Sequence, residues 1–130
     1  MPNDAEVPKL TVHLKLDVAG RPTFVEGPDR RRYGLILEVE NAPPDAYAAT
    51  FELDPAITYD AAHTLRPNPN GGFRLETTTY GDSPVIVRLF RSNGEDLVLK
   101  DSIARGLCRT HAPARDLAPF SEALSYITQH

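Results

Sequence analysis

Residues 9–18 constrain the fold more than any other stretch of the chain. Leu10, Val12, Leu14, Leu16 and Val18 alternate with Thr11, His13, Lys15 and Asp17. A spacing of two places alternate side chains on one face of a strand, so the pattern predicts a strand with one buried and one wet face. Ala19-Gly20-Arg21-Pro22 then breaks it, and residues 23–26 predict a short edge segment before the Gly27-Pro28-Asp29 turn. Twelve prolines lie mostly between apolar runs rather than inside them, which favours strands separated by turns over a helical bundle.

Residues 32–41 repeat the alternation through Tyr33, Leu35, Leu37 and Val39, and Ile36 on the opposite face implies that this face is partly covered. The compact turn at residues 41–45 leads into residues 46–53, where Tyr47, Ala49, Phe51 and Leu53 alternate. Two strands joined by so short a turn predict an antiparallel pair. Residues 55–72 hold three prolines, two adjacent glycines and two asparagines, with nothing periodic enough to require a strand. A loop this long in a small domain is often functional. Strands follow at residues 73–80 and 85–90 around a Gly81-Asp82-Ser83-Pro84 turn. Asn93-Gly94 is a strong hairpin signal before a last strand near residues 97–100.

Beyond Lys100 the period changes. Asp101 is the expected N-cap of a helix reaching about residue 110, with Ile103, Leu107 and Cys108 on one face and Cys108 read as a buried small hydrophobe. Gly106 inside it costs about 1 kcal/mol relative to alanine. Leu117, Phe120, Leu124 and Ile127 predict a second amphipathic helix over about residues 118–128, with Pro119 tolerated in its first turn. The expected architecture is mainly β: an antiparallel β-sandwich of about seven to eight strands with two short C-terminal helices. Residues 1–8 are expected to be a disordered lead-in, residues 9–100 the sandwich and residues 101–130 a helical appendage. The apolar stripes of the two helices pack either on the sandwich or on a partner.

A chain of 130 residues suits one domain. Its net charge of −4 argues against a general nucleic-acid binder. Arg30-Arg31-Arg32 is the one tight basic cluster, and with Glu26 and Asp29 beside it a solvated turn is the expected reading. A single cysteine excludes an internal disulfide and a thiolate metal cage. The polar, acidic N-terminus is unlike a signal peptide, no apolar run reaches a membrane-spanning length, and a cytoplasmic protein is expected. His13, His63, His111 and His130 are scattered without metal-ligand spacing. No nucleophile elbow, phosphate-binding loop or dinucleotide fingerprint occurs, so neither a cofactor nor enzyme activity is expected.

Three stretches carry a resemblance. Phe-Glu-Leu-Asp-Pro-Ala-Ile-Thr (residues 51–58), then Gly-Phe-Arg-Leu-Glu-Thr-Thr-Thr-Tyr-Gly-Asp (72–82), then Val-Ile-Val-Arg-Leu-Phe (85–90) resemble the YEATS domain, an immunoglobulin-like sandwich known for reading acylated lysines. The flavour is that of the prokaryotic YEATS-like group, accessory or sensor modules in bacterial signalling and defence. The resemblance spans roughly residues 10–100, and the helical tail also looks like that of the prokaryotic group.

The resemblance implies a site at the loop tips. Tyr80 takes the place of one aromatic wall, with Gly81 and Asp82 supplying backbone toward an acyl amide. The facing loop departs from the family pattern: Asp54 stands where histidine is usual, Ala56 where serine is, and Ile57 where phenylalanine is. One aromatic face and one branched aliphatic then replace two π-faces, a loss of about 1 kcal/mol for a flat acyl group. Ionised Asp54 offers no donor. Each residue also has a plainer reading: Tyr80 as a packing tyrosine, Ile57 as a cover for the sandwich end, Asp54 as a turn initiator before Pro55. The implied function is a non-enzymatic sensor or adaptor that binds a protein or modified peptide, with assembly through the C-terminal helices. The alternative is an acyl-lysine reader with a half-aromatic pocket.

Overall fold

The computed structural model describes residues 7–28, 30–54, 62–67, 69, 72–114 and 116–129. Among the described residues, eight strands form two antiparallel sheets, and two α-helices follow them. The first sheet is built on β3 (Arg31–Glu40). One edge of β3 is shared by β1 (Lys9–Leu14) and β2 (Phe24–Glu26), and the other pairs with β6 (Phe73–Thr79). The second sheet runs β5 (Ala62–Leu65), β4 (Ala46–Glu52), β7 (Pro84–Arg91), β8 (Leu97–Ser102). Leu10, Val12 and Leu14 face Phe51, Val85, Val87 and Leu89 across one core, as the alternating sequence requires.

The expected pairing of the third and fourth strands does not occur. β3 and β4 lie in different sheets, and residues 41–45 form a corner between them. Asn41 adopts φ 58°, Ala46 N–H donates to Pro43 O (3.0 Å), and Arg91 bonds the Asp45 carboxylate (3.0 Å). A compact turn signal says that the chain reverses, while the choice of partner strand is made by distant residues. β4 also slips register between Ala46 and Ala48, so Tyr47 is exposed rather than buried.

β1 is shorter than its alternation. At Lys15 the chain leaves β3, whose Gly34 O accepts Lys15 N–H (2.9 Å), and Thr23 O returns to take Gly34 N–H (3.0 Å). Between them a small hairpin projects outward, turned by Asp17, whose carboxylate accepts the N–H groups of Ala19 (2.8 Å) and Arg21 (3.0 Å). Val18 at its tip is fully exposed. Within the long loop a short edge strand, β5, pairs with β4.

α1 (Ile103–Thr110) is capped by Ser102, whose hydroxyl accepts Arg105 N–H (3.1 Å), one residue later than expected. Asp101 is instead the penultimate residue of β8 and pairs with Arg109 (2.9 Å). Burial works against its charge, but the Arg109 guanidinium, Ser102 N–H and Arg105 together outweigh burial and hold its pKa below the ordinary value. The buried stripe of α1 is Ile103, Gly106 and Leu107, leaving Cys108 exposed. A Cβ on Gly106 would lie 2.5 Å from Val12 Cγ2, so the glycine lets the helix press against β1. After a 3-10 turn (Ala112–Ala114), α2 (Ala118–Gln129) buries Phe120, Ala123, Leu124 and Ile127, while Leu117 stays exposed. These stripes join the same core as the sheets, so the helices pack on the sandwich itself. Of the expected disordered lead-in, residues 1–6 lie outside the described residues.

Candidate functional site

The turn between β6 and β7 carries three of the expected site residues. Thr79, fully buried, donates its hydroxyl to Gly81 O (2.7 Å) and accepts Gly81 N–H (3.2 Å), folding the backbone of residues 79–81 onto itself. The Asp82 carboxylate accepts Ser83 N–H (2.9 Å) and Ala104 N–H (2.8 Å), placing a negative charge on the positive end of α1. Ser83 is buried and makes the densest connections. Its hydroxyl accepts Asp54 N–H (2.8 Å) and donates to Pro84 O (2.8 Å), and its carbonyl accepts Ile103 N–H (2.9 Å). The turn therefore ties together β4, β6, β7 and α1.

Of the facing loop, Asp54 is joined to this turn through its N–H bond to Ser83, the residue after Asp82. Ala56 and Ile57 lie outside the described residues. Two expected ligand groups are used internally: Gly81 N–H by Thr79, and one Asp82 oxygen by α1. A buried N–H already held by a hydroxyl gains little by exchanging it for an acyl carbonyl.

Tyr80 is half-buried, and its ring is in contact with two guanidinium groups. The Arg30 Cζ lies 4.1 Å from the ring centroid and the Arg32 Cζ 5.1 Å. The run of three arginines is therefore split by the pleat of β3. Arg31 goes to the opposite side, to Glu26 (2.6 Å), Glu122 (2.6 Å) and Tyr33 Oη (3.0 Å). Its bonds to Tyr33, Glu122 and Glu26 raise its pKa above the ordinary value despite desolvation. The solvated-turn reading missed Arg30 and Arg32 because their aromatic contact comes from a residue about fifty positions away. An alternation Arg-x-Arg entering a strand was the available signal.

One other grouping has residue types suited to catalysis: Thr11, His13 and Glu38 on the outer face of the first sheet. Thr11 Oγ1 (3.1 Å) and Glu38 Oε1 (3.5 Å) both approach the same ring nitrogen, His13 Nε2. A relay needs the carboxylate and the hydroxyl on opposite nitrogens, so this geometry does not activate Thr11. Among the described residues no group of three or more His, Cys, Asp or Glu side chains is placed to hold a metal ion, and no helix is long and apolar enough to cross a membrane. The chain matches no family model, no curated protein and no solved structure.

Proposed function

We propose that this chain is a non-enzymatic protein-interaction module of prokaryotic YEATS type, a cytoplasmic sensor or adaptor subunit of a bacterial signalling or defence system. The observation that carries the reading is the Arg30–Tyr80–Arg32 cluster, set on a turn whose backbone is held by Thr79, Asp82 and Ser83. Tyrosine and arginine are among the residue types that concentrate binding energy at protein interfaces, and stacking on a ring restricts the rotamers that a free arginine would otherwise lose on binding. The immunoglobulin-like type draws support from the β3–β6 pairing in one sheet and the β4–β7–β8 run in the other, which match the B–E and C–F–G pairings of such sandwiches.

A second reading, an acyl-lysine reader with a half-aromatic pocket, draws on the closeness of Asp54 to the Tyr80 turn. The guanidinium contacts on the Tyr80 ring and the engaged Gly81 amide weigh against it. Co-purification from the source cell separates the two. The adaptor reading expects a partner that is retained by wild type and lost with Tyr80→Ala, together with no discrimination between acetyl-, crotonyl- and unmodified lysine peptides in titration. A partner held equally by Y80A would remove this face as the interface. Acyl-selective binding that Y80A abolishes would favour the reader.

A further inference from the structure

One imidazole joins three elements at the edge of the first sheet. His111 ends α1, its own N–H donating to Leu107 O (2.9 Å), and its Nε2 accepts Leu14 N–H (2.9 Å) from β1. Lys15 N–H turns to β3, where Gly34 O accepts it, so the neighbouring Leu14 N–H points to the opposite edge of the strand. The same half-buried ring packs on the buried Phe120 of α2, at a centroid distance of 5.1 Å. A strand edge, a helix end and a second helix thus meet on one titratable group.

The bond to Leu14 fixes the state of the ring. A nitrogen that accepts carries no hydrogen, so the neutral imidazole holds its proton on Nδ1. A second proton would go to Nε2 and face the hydrogen of Leu14 N–H, setting two donors against each other. The charged groups of the elements around the ring do not offset this. His13 on β1 opposes the added charge and itself lies 3.5 Å from Glu38. Lys15 on β1 pairs with Glu76 (3.2 Å), Arg109 on α1 with Asp101 (2.9 Å) and Glu122 on α2 with Arg31 (2.6 Å), while Asp116 ahead of α2 is exposed. Burial first, and then His13, hold the pKa of His111 below the ordinary 6.5.

We infer that His111 is a pH-operated latch: protonation breaks its bond to Leu14 N–H and swings the ring away from β1 and Phe120, opening the edge of β1 while both sheets stay folded. The sheets are held by backbone pairing that does not involve this ring. α2 also keeps a second anchorage, where Tyr126 Oη accepts Arg31 N–H (2.7 Å). An opened His111 takes up a proton more readily than a closed one, so opening is favoured as the pH falls below 6.5.

Hydrogen exchange followed by NMR tests the latch, with each amide's rate divided by its intrinsic rate at the same pH. Between about pH 7.5 and about pH 5.5, protection of Leu14 N–H should fall severalfold, up to the roughly tenfold that one proton at an ordinary histidine allows. At the lower pH it should lie well below the protection of Val87 N–H in β7 and be insensitive to urea below the unfolding transition, as a local opening is. His111→Gln keeps an acceptor that does not titrate and should abolish the fall. The same fall in H111Q, no fall in wild type, or equal protection of Leu14 and Val87 at both pH values would each overturn the inference. Should H111Q not fold, the wild-type titration decides: the Leu14 amide shift must follow the His111 ring, and a ring that titrates without moving Leu14 overturns the latch.

Discussion

The Ser83 turn at the end of β6 and the middle of the same strand treat polar groups in opposite ways. At the turn, the Thr79, Asp82 and Ser83 side chains are all hydrogen-bonded within the chain. In the middle of β6, the buried hydroxyls of Thr77 and Thr78, on opposite faces of the strand, have no hydrogen-bond partner among the described residues. A saturated joint fixes geometry and has little bonding capacity left for a ligand, whereas a buried hydroxyl without a partner costs stability.

Substitutions on the two sides should separate them. Ser83→Ala removes the acceptor of Asp54 N–H and the donor to Pro84 O inside a buried turn, and should cost about 2 kcal/mol in urea unfolding; a neutral result would dissolve the contrast. The next effect depends on pH. His111 Nε2 accepts Leu14 N–H (2.9 Å), and its ring packs on Phe120 at a centroid distance of 5.1 Å. Burial first, and then nearby His13, lower its pKa below the ordinary 6.5. The unfolded chain therefore binds the proton more readily than the folded one just below pH 6.5. Stability is full above that value and falls as the pH drops toward the folded pKa. Unfolding measured across this range should show the slope, and His111→Phe should flatten it. Asp82→Ala withdraws a charge from the start of α1 and should cost about 0.5–1 kcal/mol, less at high salt. The smallest effect belongs to the middle of β6: Thr78→Val removes an unpartnered hydroxyl and should shift stability by less than about 0.5 kcal/mol, in the stabilising direction if at all.

Much of the fold was legible because alternation is a local consequence of burial. Leu10, Val12 and Leu14, the β3 set, and the Phe120–Leu124–Ile127 spacing all reappear as core. What escaped was non-local. No residue in the 41–45 turn states that β4 belongs to another sheet. Gly106 contributes no hydrophobicity, so Cys108 was placed on the buried face that Gly106 occupies. The site divided in the same way. The turn at residues 81–84 is signalled locally, whereas the bond from Asp54 N–H to Ser83 and the stacking of Arg30 and Arg32 on Tyr80 join residues far apart in sequence.

The seating of α1 bears on solubility. Among the described residues β1 pairs with β3 along one edge, and its other edge runs beneath α1, with Leu14 N–H taken by His111 and Val12 pressed against Gly106. An uncovered strand edge is a template on which other chains add strands, and native sheets commonly block it with a helix. The C-terminal helices are thus a guard against aggregation as well as part of the core. Removing them would bare a strand edge together with the core surface that Ile103, Leu107 and Ile127 fill, so a truncated chain would associate with itself before it could report on any partner.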